Sequence, residues 1–214
     1  MELNFQEKRW RDAFGDEYVK RNDFDLEGLD ELYMGYFGVK RTDLNKDFLA
    51  HIDKEINILE VGCSTGMQLM ALKELGFRNF FGIDVSKSGL KRAKENVPEG
   101  NFMHISGLDM PFKEGYFDLV FTSGVLIHQH PEKSLGKVID EMYRTSKKYI
   151  WVYEYFSEKC EEIKRYEGHT EVLWKNDFMK LFLERHPDLK VVKEIKLKYK
   201  NNNNVDHMFL LEKG

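Results

Sequence analysis

A glycine-rich stretch and a carboxylate further along the chain have a spacing suited to a nucleotide-like cofactor. The first is Glu60-Val61-Gly62-Cys63-Ser64-Thr65-Gly66, at the end of an apolar run. Glycines let the backbone approach a ligand closely, and N–H groups at the start of a following helix favour a carboxylate or phosphate. The second is Asp84, 24 positions after Glu60, where a carboxylate is placed to accept hydrogen bonds from two ribose hydroxyls. Together they favour a cofactor that contains a nucleoside.

Each group also has a purely structural interpretation. The glycines are compatible with a tight strand-to-helix turn and nothing more. Asp84 is compatible with a helix N-cap, although Ser86 or Ser88 is the better candidate for that role. The first group departs from Gly-x-Gly-x-x-Gly because Ser64 holds a position where glycine is expected. A nicotinamide dinucleotide is therefore disfavoured.

The elements that must position these residues alternate between strands and helices. Ile56 to Val61 predicts a buried strand, and Met67 to Leu75 a helix ending at Gly76. The alternation continues with strands over 79–86, 101–105, 116–124 and 148–156, and with helices over 88–96 and from about 132 to 146. This pattern predicts an α/β fold: a Rossmann-like, doubly wound, mostly parallel sheet whose strand ends carry the ligand.

Both ends of the chain differ from this alternating core. Glu2 to Arg21 and Leu29 to His51 predict aromatic-rich helices that are too short for a core of their own. We therefore expect residues 1–52 to form a helical lid on a core of residues 53–214. At the other end, 189–200 and 205–213 are strand-like runs joined by four asparagines, which predict an antiparallel hairpin.

Composition limits the classes of function. The 214 residues are 42% hydrophobic and 33% charged, as in ordinary globular proteins. No apolar run approaches the roughly 20 residues of a membrane-spanning helix, and the first residues are not signal-like, so we expect a cytoplasmic protein without membrane attachment. Cys63 and Cys160 have no metal-ligand spacing, so no metal is predicted. The formal net charge of -4 disfavours general nucleic-acid binding and favours a small or neutral partner.

The segment FMHISGLDMPFKEGYFDLVFTSGVLIHQHPE (102–132) distinguishes between cofactors. It resembles the Class I S-adenosylmethionine-dependent methyltransferases, in which an LPF...FDxV...LHH type of run links the third and fourth strands and continues past the fourth. The likeness extends from about Asn57 to Phe156. It implies that the loop after the third strand reads the adenine; the family often has an aspartate where Ser106 sits. The cofactor contacts implied are Glu60, Gly62, Cys63, Ser64, Thr65, Gly66, Asp84, Val85, Ser106, Gly107 and Ser123.

A narrower resemblance covers 5 to about 178. The stretches FQEKRWRDAFGDEYVKRND, FDLVFTSGVLIHQHPE, MYRTSKKYIWVYEY and EGHTEVLWKNDF are similar to the methylase family associated with biosynthesis of pseudaminic and related nonulosonic acids. This resemblance implies a sugar-derived small-molecule acceptor.

Methyl transfer needs few catalytic side chains. It is an in-line displacement at a sulfonium carbon, so positioning and desolvation supply much of the rate and one general base suffices. His128, after the fourth strand, is the best candidate for that base. Alternatively, it only fixes its loop through a hydrogen bond. Glu154 and Tyr155, near the end of the fifth strand, are placed to face the acceptor, although Glu154 is also suited to anchoring the lid.

Four further residues are candidates for acceptor binding. Tyr18 shares a helix face with Trp10 and Phe14, a stripe that is more often core than binding surface. Arg21 is suited to pairing with a carboxylate, or it is simply solvated. His169 and Lys175 lie in the segment that carries the narrower resemblance.

The sequence thus predicts an S-adenosylmethionine-dependent methyltransferase acting on an oxygen or nitrogen of a small molecule, namely a nonulosonic sugar or its precursor. Two alternatives stay open. One keeps the cofactor and changes the acceptor to a modified base in RNA. The other is a catalytically silent cofactor-binding or scaffold protein.

Overall fold

A computed structural model describes residues 3–22, 24–164 and 170–214. The chain divides into two compact units. The first comprises Met1–Ser106 with Tyr199–Asn203, and the second Gly107–Lys198 with Asn204–Gly214. The predicted division into a lid of residues 1–52 and a core of 53–214 stays a prediction.

The first unit contains four helices followed by alternating strands and helices. β1 pairs in parallel with β2, from Asn57 opposite Asn79 to Val61 opposite Ile83. β2 pairs in parallel with β3, so the spatial order is β3-β2-β1 and all three strands end at the same edge. The elements are α1 (Phe5–Arg11), α2 (Ala13–Arg21), α3 (Leu26–Phe37), α4 (Arg41–Leu49), β1 (Asn57–Val61), α5 (Met67–Glu74), β2 (Asn79–Asp84), α6 (Lys87–Asn96) and β3 (Asn101–His104).

The second unit contains a parallel pair of strands extended by an antiparallel hairpin, in the order β4-β5-β9-β8. β6 and β7 form a separate two-stranded antiparallel pair. The elements are β4 (Phe117–Ser123), a 3-10 turn (Leu126–His128), a π-helical turn (Pro131–Leu135), α7 (Gly136–Thr145), β5 (Ser146–Tyr155), β6 (Glu161–Glu162), β7 (Trp174–Lys175), α8 (Phe178–Arg185), β8 (Lys190–Lys198) and β9 (Val205–Glu212).

Both units are therefore α/β, with parallel strands and flanking helices, and the second unit adds antiparallel C-terminal strands. This confirms the fold class, the C-terminal hairpin and the order of core elements predicted from the sequence. Residues 131–135 differ from the prediction: they form a π-helical turn, and α7 proper begins only at Gly136.

The strands form the core of each unit because their apolar residues are buried. In the first unit, Ile58 and Leu59 of β1 are fully buried, as are Phe121 and Trp151 of β4 and β5 in the second. Ser86 begins α6 by accepting a hydrogen bond from the N–H of Gly89, which satisfies one of the donors left free at a helix start. None of the described helices is long and apolar enough to cross a membrane.

Candidate functional site

Three residues of the turn between β1 and α5 have positive φ, in the left-handed region of the Ramachandran plot. Gly62, Ser64 and Gly66 have φ of +74°, +43° and +72°. Glycine adopts this region without penalty, whereas a side chain there costs of order 1–2 kcal/mol. Ser64 therefore keeps the glycine-like conformation of this position without the glycine.

Hydrogen bonds hold the turn against the end of β2. The N–H groups of Gly62 and Cys63 donate to the carbonyl of Ile83 at 2.8 and 3.0 Å. Asn96 of α6 donates to the carbonyl of Thr65 at 2.9 Å. Cys63 and Thr65 are buried, and burial raises the pKa of the Cys63 thiol well above its ordinary value. Cys63 is thus an inert packing residue at ordinary pH.

Asp84 connects the turn to the start of α6. One carboxylate oxygen accepts from the N–H of Ser64 at 2.8 Å, and the other from the N–H of Ser86 at 2.7 Å. The backbone N–H of Val85 also acts on this carboxylate and lowers its pKa. A carboxylate has about four acceptor positions, so capacity for a ribose hydroxyl is left. The helix cap that was the structural alternative for Asp84 is supplied by Ser86. Val85, the next residue, is half-buried, and its carbonyl contacts His104 Nε2 at 2.9 Å.

Glu60, near the end of β1, is a buried carboxylate with unused acceptor capacity. Its side chain is 2% exposed, and Oε2 has no hydrogen-bond partner among the described residues. Burial raises the pKa of Glu60 well above its usual value, Arg41 opposes this shift, and Asp84 adds to it. A cationic group bound beside Glu60 would offset the cost of burying the charge.

Arg41 is a buried residue that acts electrostatically on a predicted cofactor contact, and the sequence did not indicate it. It begins α4 and is fully buried. Its guanidinium donates to Asn45 Oδ1 at 2.8 Å and to the hydroxyl of Tyr33 at 2.6 Å. Its positive charge lowers the pKa of Glu60, against the effect of burial. No local motif marks an arginine at a helix start for this role, so the sequence offered no signal.

Ser106 lies two residues beyond β3 and is buried. Its hydroxyl donates a hydrogen bond to the carboxylate of Glu7 in α1, a residue 99 positions earlier. Glu7 is thus a partner of the predicted adenine contact, and the sequence did not indicate it. Gly107, predicted with Ser106 as an adenine contact, is half-buried.

His128 occupies the 3-10 turn after β4 and is buried. Its Nδ1 lies 2.7 Å from the carbonyl oxygen of Val172. A carbonyl oxygen only accepts, so Nδ1 carries the proton and Nε2 is the basic nitrogen of the neutral ring. This geometry satisfies the loop-fixing alternative and also orients the ring as a base requires, so a catalytic role stays a prediction.

Glu154 anchors the backbone after β4. Its side chain is 1% exposed, and it accepts from the N–H groups of Val125, Leu126 and Ile127 at 2.9, 3.0 and 3.3 Å. Burial raises its pKa to about 7, against the opposing effect of these three donors. The contacts describe a side chain that positions the turn carrying His128; its role as a catalytic residue stays a prediction.

The remaining predicted residues of the second unit lie near the ends of β4, β5 and β7. Ser123 ends β4 opposite Tyr153 of β5. Tyr155 ends β5, and the Lys175 ammonium lies 6.0 Å from its ring centroid. Lys175 also donates to Asn204 Oδ1 at 2.6 Å. Tyr155 and Lys175 are therefore neighbours, as a shared acceptor-binding surface would require.

The two acceptor-binding candidates of the first unit, Tyr18 and Arg21, lie in different surroundings. The Tyr18 ring packs edge-to-face on Trp10, with centroids 5.1 Å apart. Its ring therefore belongs to the helical aromatic cluster that was the structural alternative. Arg21 ends α2 and is exposed. His169 lies outside the described residues, and its role stays a prediction.

Part of the chain is similar to known methyltransferases. Residues 58–148 match a family model described as a methyltransferase domain. An uncharacterised methyltransferase of Synechocystis is 36% identical over 90 residues, which cover 42% of this chain and 42% of that protein. The match thus spans less than half of the curated relative.

Two solved structures are similar over the whole chain. One is a Burkholderia thailandensis 1,6-didemethyltoxoflavin-N1-methyltransferase with bound 1,6-didemethyltoxoflavin and S-adenosylhomocysteine (TM-score 0.70, 16% identity, 100% of this chain and 92% of that one). The other is the magnesium protoporphyrin IX methyltransferase of Synechocystis with bound S-adenosylmethionine (TM-score 0.66, 14% identity, 100% and 99% of the two chains). At these identities the likeness establishes the fold.

The residues present fit S-adenosylmethionine. The free acceptor atom of Glu60 suits the methionine ammonium, and Asp84 suits the ribose hydroxyls. The Gly62–Gly66 turn follows Glu60, and its backbone is hydrogen-bonded to Ile83 and Asp84 at the end of β2. The matched residues 58–148 include Glu60, the Gly62–Gly66 turn and Asp84, which are the residues that fit this cofactor.

Proposed function

We propose that this protein transfers the methyl group of S-adenosylmethionine to an oxygen or nitrogen of a small molecule. The observation that carries the proposal is the pair of carboxylates at adjacent strand ends. Glu60 holds a buried acceptor atom without a partner in the described chain, and Asp84 lies at the end of the neighbouring parallel strand. Cationic and hydroxyl groups of one cofactor would satisfy both at once.

In the reaction, a lone pair on the acceptor forms a bond to the methyl carbon. The carbon–sulfur bond breaks, and its electron pair stays on sulfur as the neutral thioether of S-adenosylhomocysteine. The acceptor's proton passes to a base, for which His128 Nε2 is the candidate because Nδ1 donates to Val172. Glu154 contributes by fixing the backbone of the turn that carries His128. Positioning supplies the rest of the rate.

For the acceptor, we propose a nonulosonic sugar or its precursor. The support is the motif resemblance over 5–178 and the formal net charge of -4, which disfavours a polyanionic acceptor such as RNA. Lys175, which lies beside Tyr155, supplies a cation and an aromatic face suited to a carboxylated sugar.

The test supplies S-[methyl-³H]adenosylmethionine with a pseudaminic-type acid, its hexose-derived precursors or total RNA, and measures both label transfer and S-adenosylhomocysteine release. We expect transfer to one of the sugars and none to RNA. Label in acid-precipitable RNA would replace the sugar with the RNA alternative. Tight S-adenosylhomocysteine binding without turnover on any acceptor would favour the silent scaffold. His128→Ala tests the assigned proton transfer. His130→Ala is its matched control, because no proton transfer is assigned to His130.

A further inference from the structure

The strand ends of the first unit place three predicted cofactor contacts in a row. β1, β2 and β3 are adjacent and parallel, with Asp84 opposite His104 in register. The glycine turn follows β1, Asp84 ends β2, and Ser106 follows β3. Neighbouring strands lie about 4.8 Å apart, so these three positions span roughly 10 Å along one edge. If the methionine part of the cofactor lies at the turn and its ribose at Asp84, the third position in the row, at Ser106, is the one left for the base.

At that position the structure holds a buried carboxylate from a distant part of the chain. Glu7 is 6% exposed and Ser106 is 3% exposed. Ser106 Oγ donates to Glu7 Oε1, while Glu7 Oε2 accepts from the backbone N–H of Asn4 at 3.0 Å. Asn4 in turn accepts from the N–H of Glu7 at 2.8 Å, which closes a capping box at the start of α1. Two reciprocal bonds thus fix the Glu7 backbone and carboxylate in place.

This carboxylate has acceptor capacity beyond the bonds that hold it. An ionised carboxylate offers about four acceptor positions, and Ser106 and Asn4 account for two of them. Adenine presents an exocyclic amine with two N–H donors on the edge that distinguishes it from hypoxanthine, whose keto oxygen only accepts. A fixed, buried carboxylate beside the base position would bind the first edge and repel the second.

We propose that Glu7 is the adenine-specifying residue of this site, accepting a hydrogen bond from the exocyclic amine, and that Ser106 orients its carboxylate. The inference rests on the proposed cofactor binding. It assigns to α1 a direct part in cofactor recognition rather than a covering role alone. The alternative is a purely structural latch, in which the bond from Ser106 to Glu7 only docks α1.

The experiment compares two ligands on the full chain by titration calorimetry: S-adenosylhomocysteine and S-inosylhomocysteine, which carries hypoxanthine in place of adenine. We expect the wild-type protein to bind the adenine ligand at least ~10-fold more tightly, as a hydrogen bond to a charged group implies. Glu7→Gln presents both an acceptor and a donor, so the preference should fall to within ~3-fold. Glu17→Gln, an exposed residue of α2, should keep the full preference.

A structural latch would lower both affinities together and leave their ratio unchanged in Glu7→Gln, which would overturn the proposal. Ser106→Ala is the second variant: it keeps the carboxylate and loses only the bond that orients it, so the preference should fall partway. An unchanged ratio in Ser106→Ala would remove the orienting role. If the wild-type protein binds neither ligand, the proposed cofactor binding itself fails, an outcome distinct from binding without base preference.

Discussion

The carboxylate of Asp84 accepts a hydrogen bond from the backbone N–H of Ser64, 2.8 Å away. The side chain that ends β2 therefore holds the residue of the β1–α5 turn that adopts φ of +43°. Nineteen residues separate the two, and only the parallel pairing of β1 with β2 brings them together. Asp84 thus connects the conformation of the turn to the position of the predicted ribose acceptor.

Asp84→Ala should weaken S-adenosylhomocysteine binding by ~100-fold or more, because it removes the ribose acceptor and one support of the turn. Measuring both proteins with S-adenosylhomocysteine and with its 2′-deoxy form gives a double-mutant cycle, which separates the loss of the ribose acceptor from the loss of support for the turn. The wild-type protein should lose ~10-fold in affinity for the deoxy ligand, whereas Asp84→Ala should bind both ligands equally. If Asp84→Ala still discriminates between them, Asp84 serves the turn alone.

Glu60→Gln should weaken cofactor binding by ~10-fold or more while stabilising the ligand-free protein at pH 8. Burial raises the pKa of Glu60 in the folded state. The unfolded chain therefore releases the proton at lower pH than the folded chain does, and stability falls as pH rises through that interval. Glutamine has no charge to desolvate and cannot form an ion pair with an ammonium group. Calorimetric titration and urea unfolding measure the two effects; a variant less stable at pH 8 with unchanged affinity would contradict this role for Glu60.

Glu154 should make the protein less stable as pH rises from about 4.5 to about 7, because its folded-state pKa is raised from 4.5 to about 7. Between these pH values the folded state holds the proton and the unfolded state has lost it. The free energy of unfolding therefore falls by about 3 kcal/mol across the interval. Urea unfolding of wild type and Glu154→Gln across this range should show the decline reduced in the variant. Glu158→Gln, an exposed neighbour, should reproduce the wild-type profile. Equal profiles in all three proteins would show that Glu154 does not titrate in this range.

Gly82→Ala should destabilise the fold by about 1–3 kcal/mol, since overpacking forces neighbours to move. A Cβ at this position of β2 would lie 2.7 Å from Cys63 Sγ and 2.8 Å from the Phe102 ring. Gly35→Ala is the matched control, because a Cβ there meets nothing within 4 Å in α3. That control should be stabilising by about 0.5–1 kcal/mol through helix propensity. Chemical denaturation of both variants measures the difference; equal effects would mean that the contact between Gly82 and Cys63 is not tight.

The sequence predicted those parts of the fold and site that depend on local pattern. Alternating apolar runs and helical periodicity placed β1, β2 and α5 within one or two residues, and the asparagine run placed the turn between β8 and β9. The contact between Glu7 and Ser106 and the electrostatic effect of the buried Arg41 on Glu60 were beyond local pattern. Both features depend on how helices α1 and α4 pack against the rest of the first unit. The pattern of residues adjacent in sequence does not determine that packing.

The central claim is that Glu60, the Gly62–Gly66 turn and Asp84 hold S-adenosylmethionine. Its most direct test is calorimetric titration of the wild-type chain and Asp84→Ala with S-adenosylhomocysteine. We predict one-to-one binding to the wild-type protein that weakens by ~100-fold in the variant. Absence of binding to the folded wild-type protein, or equal affinity in the two proteins, would contradict the claim.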